Sequence, residues 1–174
     1  MELHTRLLSS KDWIPNNPKL PVLIYKSALP AEGDNAGSRI EALFQQHRWE
    51  GTWQNGVFDY HHYHVHAHEV LGVASGQASL MIGGPEGMVI ALKPGDGIVL
   101  PAGTGHCLVA ASEDFLVVGA YPPGQKADIK TSAPTATEQA ALETLPLPGS
   151  DPVTGTSDPL LTHWQPDDKE PHLL

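Results

Sequence analysis

Residues Tyr60–Gly76 read YHHYHVHAHEVLGVASG, and the reading of this stretch decides what the chain folds into. It holds five of the ten histidines, followed at once by Glu69. Only 17% of the chain is charged, so this density needs a cause. An imidazole on a buried face requires partners for its ring nitrogens, and a bound metal ion supplies one. Strand residues two apart share a face, so His62 and His64 aim at one point. A strand continued through His66 and His68 would spread four side chains over about 20 Å at ~3.3 Å per residue, more than one ion can use. The chain must therefore turn. A turn near Val65 to Ala67 brings His68 or Glu69, at the start of the next strand, back to the first pair.

Further on, GDGIVLPAGTGHCLV (Gly95–Val109) holds a single histidine, His106, where the break at Pro101 to Gly105 delivers the chain into a new strand. Three imidazoles and one carboxylate suit a divalent transition metal (Zn, Fe, Mn, Ni or Co), with positions left for water or substrate. A calcium cage would need more oxygen ligands.

Outward from these clusters the chain is written in short strands and tight turns, with seventeen glycines and sixteen prolines. Strands are expected at Val22–Tyr25, Val57–His64, Val70–Ala74, Gln77–Ile82, Met88–Leu92, Ile98–Leu100, His106–Ala110 and Phe115–Tyr121. Asn55-Gly56 signals a hairpin turn ahead of the second of these. The first twenty-one residues have no period and are read as an extended arm. One helix is expected from Arg39 to about His47. Ser38 and Glu41 have capping-box spacing, and Ile40, Leu43, Phe44 and His47 share a face, which makes His47 a helix-face residue. A second box, Thr135 and Glu138, opens a short helix over Ala136–Thr144. The rest of the tail is expected as irregular chain held down by Leu145, Leu147, Leu160, Leu161 and Trp164. Trp49 and Trp53 are read as core or interface packing, with pocket lining as the alternative. Many short strands with a helix near one end imply an antiparallel sandwich or barrel.

Composition narrows the function. A length of 174 residues fits one domain. A formal charge of −10 argues against a nucleic-acid or anionic membrane partner, since both call for clustered Lys and Arg. No apolar run approaches the ~20 residues of a membrane span, and the N-terminus lacks a secretory signal's apolar region, so a cytoplasmic protein is expected. Cys107, the single cysteine, excludes an intrachain disulfide and a thiolate zinc cage, and is read as a small buried apolar residue.

Both clusters resemble the two motifs of the cupins. The first runs His62-x-His64, four residues, Glu69, six residues, Gly76; the second runs Gly95, five residues, Pro101-x-Gly103, two residues, His106. The second motif usually carries Asn where this chain has Ala110. With Trp53, YHHYH, HEVLGV and GAYPPGQ added, the pattern from Trp49 to Gln125 is similar to the YjlB family of single-barrel cupins. The resemblance implies an all-β double-stranded β-helix, or jelly-roll barrel, with a short N-terminal helix and an irregular C-terminal extension. On that reading residues 1–48 form an arm, strand and helix on the barrel, 49–125 the barrel, and 126–174 the extension. It also implies His62, His64, Glu69 and His106 as metal ligands, Glu69 as a catalytic proton shuttle, a small-molecule substrate and a homodimer. Dioxygenation or isomerisation is the implied chemistry, and a non-catalytic binding module the alternative. His61 belongs to solvent or the surroundings of the ligands and His66 to the turn; Tyr60, Tyr63 and His61 are weaker candidates beside the metal.

Overall fold

Strand parity builds this molecule. In the computed structural model, which describes residues 1–165, nine strands form two antiparallel sheets. The larger runs in the order β1 (Glu2–Arg6), β2 (Val22–Lys26), β7 (Gly97–Leu100), β4 (Glu69–Ser75), β9 (Leu116–Tyr121), β3 (Glu50–Asn55). The smaller is β6 (Met88–Leu92), β5 (Ala78–Ile82), β8 (His106–Ala111). Val22, Ile24, Leu71, Val73, Ile98, Leu100 and Val117 point from the large sheet at Leu80, Ile82, Ile90 and Leu92 of the small one, and this apolar layer fills the barrel. The intervening residues Leu23, Tyr25, Val70, Val99, Val118 and Ala120 face outward into a second apolar layer.

That outer layer explains why β4, EVLGVAS, is buried along nearly its whole length: both faces of the large sheet are covered. Its cover is helix α1 (Ala36–Gln46), through Ile40 and Phe44, together with Trp49 and the tail residues Val153, Leu160 and Trp164. Trp49 is thus core, and its indole N–H donates to the Ser150 carbonyl at 2.9 Å. Between β4 and β5 the chain passes from one sheet to the other at Gly76, whose φ is +66°. A Cβ at that position would lie 2.6 Å from the Phe115 backbone.

Several expectations are corrected. Asn55-Gly56 forms no hairpin, because β3 pairs with β9 instead (Gln54 opposite Val118), and residues 56–68 run as a loop rather than an extended strand. That loop meets β8 through the isolated bridge His62–His106 and the bond from Leu108 N–H to the Phe58 carbonyl, and the chain beyond β9 through the bridge Tyr63–Lys130. Helix α1 starts three residues early, at Ala36, and its N-cap is Asn35 at φ 61°. Ser38 lies inside the helix, and Glu41 reaches across to accept from Thr52 Oγ1 (2.9 Å) and Gln54 Nε2 (2.7 Å). The arm contains an unanticipated strand, β1, an edge strand whose half-exposed ELHTR pattern carries little apolar signal.

The tail follows expectation at its first helix and departs after it. Helix α2 (Ala136–Thr144) has the Thr135–Glu138 capping box with both hydrogen bonds made. Leu160 and Trp164, expected in irregular chain, lie on a third short helix, α3 (Leu160–Trp164), and are fully buried, whereas Leu147 is exposed. Cys107 is buried.

One buried carboxylate holds the tail against the outer layer. Asp151 accepts from the Tyr25 hydroxyl (2.7 Å) and the backbone N–H groups of Val153 (2.7 Å), Thr154 (3.0 Å) and Leu160 (3.1 Å). Four donors need four lone pairs, and an amide offers only two. Asp151→Asn is therefore expected to cost about 2 kcal/mol or more, lowering Tm by roughly 4–8 °C for a chain of this size. Thermal unfolding followed by circular dichroism measures this, and an unchanged Tm would remove Asp151 from the account of the tail.

Candidate metal centre

Three separate pieces of backbone converge at one end of the barrel. His62 and His64 come from the 56–68 loop, His106 opens β8 of the small sheet, and Glu69 opens β4 of the large one. His62 and His106 are fastened by a pair of backbone hydrogen bonds, His62 N–H to His106 O (3.2 Å) and His106 N–H to His62 O (2.9 Å). Their ring centroids lie 4.1 Å apart, with His64 at 5.6 Å from His62 and 5.2 Å from His106. The His64 carbonyl accepts from Gly103 N–H at 2.8 Å, tying the loop to the second motif.

The ring nitrogens are arranged for coordination. Nδ1 of His62 faces the Tyr60 carbonyl at 2.9 Å, Nδ1 of His106 the Thr104 carbonyl at 3.0 Å, and Nδ1 of His64 the Asp128 carbonyl. A carbonyl only accepts, so each Nδ1 carries the hydrogen and each neutral ring leaves Nε2 with a free lone pair. One ligand atom from each of the three rings falls within 4.8 Å of the others. Glu69 Oε1 joins them, 3.3 Å from His64 Nε2 and 3.5 Å from His106 Nε2. All four side chains are buried.

Four acceptors aimed at one another form an arrangement that only a cation or added protons can satisfy. The electrostatics say the same. Burial pushes His62 down to about 3, and the neighbouring His106 acts in the same direction. Burial also disfavours the charged form of His64, but Glu69 and the Asp128 carbonyl outweigh it and raise that imidazole above its ordinary value. Burial pushes the Glu69 carboxyl up, yet His64 and His106 overcome this and hold it well below the usual carboxylate range. The donor set of three imidazoles and a carboxylate fits a divalent transition ion such as Zn, Fe, Mn, Ni or Co.

Parity decides between His68 and Glu69. Glu69 shares the inward face with Leu71 and Val73, whereas His68 points to the outer layer, with its ring centroid 4.8 Å from that of Trp164. His68 Nδ1 accepts from Ala102 N–H at 2.9 Å, and burial keeps the ring neutral by pushing it down to about 3. It is a core histidine. His66 is exposed in the turn, with its N–H on Asp128 Oδ1 at 3.0 Å, and His61 is half-buried. Tyr63 lies in a separate apolar cluster and donates to the Ser132 carbonyl at 2.6 Å, which removes it from the surroundings of the histidine cluster. Tyr60 stays nearer, its ring 5.5 Å from that of His62. His47 caps α1 and contacts the Pro152 carbonyl at 2.7 Å, away from the site.

The four side chains form the floor of a cavity of about 440 Å³, walled by Trp53, Val57, Phe58, Leu71, Tyr121 and Ile129 among others. Two residues that shape the site, one on the cavity wall and one behind His64, escaped the sequence. Tyr121 follows the ladder that places Val70 opposite Ala120, so its inward hydroxyl faces Glu69. Burial and then the Glu69 charge push that hydroxyl up, while the Trp53 indole N–H, donating to its oxygen at 2.7 Å, acts the other way. Trp53 lines the cavity, the alternative reading, and can lie flat there because residue 119 is glycine: a Cβ would overlap the indole. Asp128 was the other omission. Its Oδ1 accepts from Val65 and His66 N–H at 2.9 and 3.0 Å while its carbonyl orients His64. Strand parity counted back from the Tyr121 end would have flagged the tyrosine; no local signal marks Asp128.

Residues 50–119 match the cupin domain family, and the barrel with its histidine cluster is that of a cupin. Over 165 residues the chain is 39% identical to the uncharacterized protein YjlB of Bacillus subtilis strain 168, covering 94% of this chain and 97% of that one. It belongs to the YjlB family of cupins. Among solved structures, acireductone dioxygenase from Bacillus anthracis, with a cadmium ion in its active centre, is 22% identical, covers 57% of this chain and 76% of its own, and superposes with a TM-score of 0.38. Oxalate decarboxylase from Bacillus subtilis is 18% identical, covers 76% and 34%, and gives 0.36.

The arrangement predicts one divalent ion per chain by elemental analysis after reconstitution with Zn(II). His64→Ala and His106→Ala should each weaken binding at least about a hundredfold, and Asp128→Ala, which frees the loop behind His64, by roughly tenfold to a hundredfold. His68→Phe should leave the stoichiometry at one. Full uptake in His106→Ala, or loss in His68→Phe, would contradict the placement.

Proposed function

We propose that this protein is a metal-dependent enzyme acting on a small organic substrate by dioxygenation or isomerisation, with His62, His64, Glu69 and His106 holding a divalent transition ion. The observation that carries the reading is the set of four convergent acceptors at the floor of a cavity that also presents the Tyr121 hydroxyl. When bound, such an ion supplies Lewis acidity and, for Fe, Mn, Ni or Co, one-electron chemistry.

The rest is done by the chain. The three Nδ1–H···O=C hydrogen bonds hold the imidazoles with Nε2 turned toward the shared point. Glu69, held ionised between His64 and His106, accepts a proton at Oε from a substrate carbon or oxygen in the cavity. Tyr121, its oxygen pinned by Trp53, keeps its own proton at neutral pH and directs it toward Glu69 or the bound substrate. Leu71 and Val57 add apolar wall beside these groups. As part of the same proposal the protein acts as a homodimer, supported by the exposed Val89 and Val109 of the small sheet.

The test uses protein loaded separately with Fe(II), Mn(II), Ni(II) or Zn(II). Oxygen uptake is followed with catechol, flavonol and β-diketone panels, and exchange of carbon-bound hydrogen in D2O with keto acids and ketoses. Turnover with at least one ion is expected, and Glu69→Gln should slow it by roughly 10²–10⁴-fold while keeping metal. Metal-loaded protein that turns over nothing in either arm is instead a binding module. A monomer mass in light scattering would reject the dimer.

A further inference from the structure

The wall of the cavity restricts what can enter it. Apart from the histidine cluster and Glu69, none of the described residues lining it is charged. A divalent ion, three neutral imidazoles and one carboxylate together carry a single positive charge, enough to balance one anionic oxygen. A second negative charge would meet no Lys or Arg, and an unpaired buried charge is costly.

Polar groups on the wall are few and mostly engaged. The Gln54 amide donates to Glu41, the Trp53 indole donates to Tyr121, and Asn55 Oδ1 accepts from Gly56 N–H at 2.8 Å. Below the exposed rim, Tyr121 is the hydroxyl that remains to serve a ligand. A sugar or polyol placed there would leave its own hydroxyls unpaired.

The mouth is apolar. Two of the eight large hydrophobic residues exposed on the described chain, Phe58 and Ile129, line this opening, and a third, Tyr60, stacks on Phe58. Phe58 and Tyr60 stack at 5.0 Å between centroids with an interplanar angle of 17°, and Phe58 also meets His62 edge-on at 5.3 Å. Apolar surface held in water beside a cavity marks a place where apolar surface binds.

From these observations we infer that the site takes a flat, largely apolar molecule with at most one negative charge, presenting an enolate, phenolate or carbonyl oxygen to the histidine cluster and its body to Trp53, Phe58 and Ile129. The inference rests on the metal-site reading above and selects within it: dicarboxylates, phosphates, nucleotide sugars and free sugars are excluded as substrates.

Binding to Zn(II)-loaded full-length protein, measured by calorimetry and by quenching of tryptophan fluorescence, tests it without turnover. The probes are benzoylacetone, a monoanionic β-diketone on ionisation, oxalate and glucose. Benzoylacetone should bind one per chain and at least about tenfold more tightly than oxalate or glucose. Phe58→Ala should weaken it by roughly five- to tenfold through lost apolar contact. Ile129→Lys, at an exposed position that tolerates a charge, should weaken benzoylacetone and strengthen oxalate by about fivefold or more. Oxalate or glucose binding as tightly as benzoylacetone, in protein shown to hold zinc, overturns the substrate class and leaves the metal site standing. Benzoylacetone binding that ignores both wall variants overturns it as well. Protein that takes up no zinc overturns the metal site and this inference together.

Discussion

Two backbone hydrogen bonds between His62 and His106 set the site in place. β8 is an edge strand of the small sheet, and its outer edge is met there by the loop that leads into the centre of the large sheet. A third bond, Leu108 N–H to the Phe58 carbonyl at 2.9 Å, extends the seam toward the cavity mouth. The seam closes one end of the barrel and brings side chains from both sheets to one point. Without it His62 would lose its fixed place opposite His106, and the loop would be held only from the His64 side, by Gly103, Asp128 and Lys130.

Much of this was legible in the residues. The spacing that rules out a single four-histidine strand forces the chain to turn, and the turn is present. Inward parity then separates Glu69 from His68, although sequence alone leaves the two open because either begins the next strand. What parity cannot supply is long-range pairing. Asn55-Gly56 has the composition of a hairpin, yet β3 finds β9 some sixty residues later, where Gly119 receives the Trp53 ring. The apolar pattern of residues 57–64 reads as strand because its Val, Tyr and Phe are needed for the cavity mouth and the cluster around Tyr63, not for a ladder. Ser38 and Glu41 fail as a cap for a related reason: Glu41 has better partners on β3.

The tail is structural from the barrel's point of view. Val153, Leu160 and Trp164 complete the outer apolar layer, and Trp164 packs on the histidine that directly precedes Glu69. Gln125 accepts from His68 N–H at 3.0 Å and donates to the Pro146 carbonyl at 2.8 Å, so the start of β4 is clamped to chain from beyond the last strand. The cavity face and the covered face of the large sheet thus meet at neighbouring residues, Glu69 and His68.

Asp128 gives this coupling a thermodynamic form. Its carbonyl orients His64 and its carboxylate holds the two backbone amides that follow, while Lys130 and Tyr63 exchange a pair of backbone hydrogen bonds beside it. An ion that binds only when His64 is correctly turned therefore also favours the docked position of residues 128–130, and docking raises affinity for the ion by the same factor. On the metal-site reading, occupancy of the site and docking of residues 128–130 are one equilibrium seen from two ends. On that reading a ligand of this segment, or a break in it, would act on a bound ion without touching any of the four acceptors.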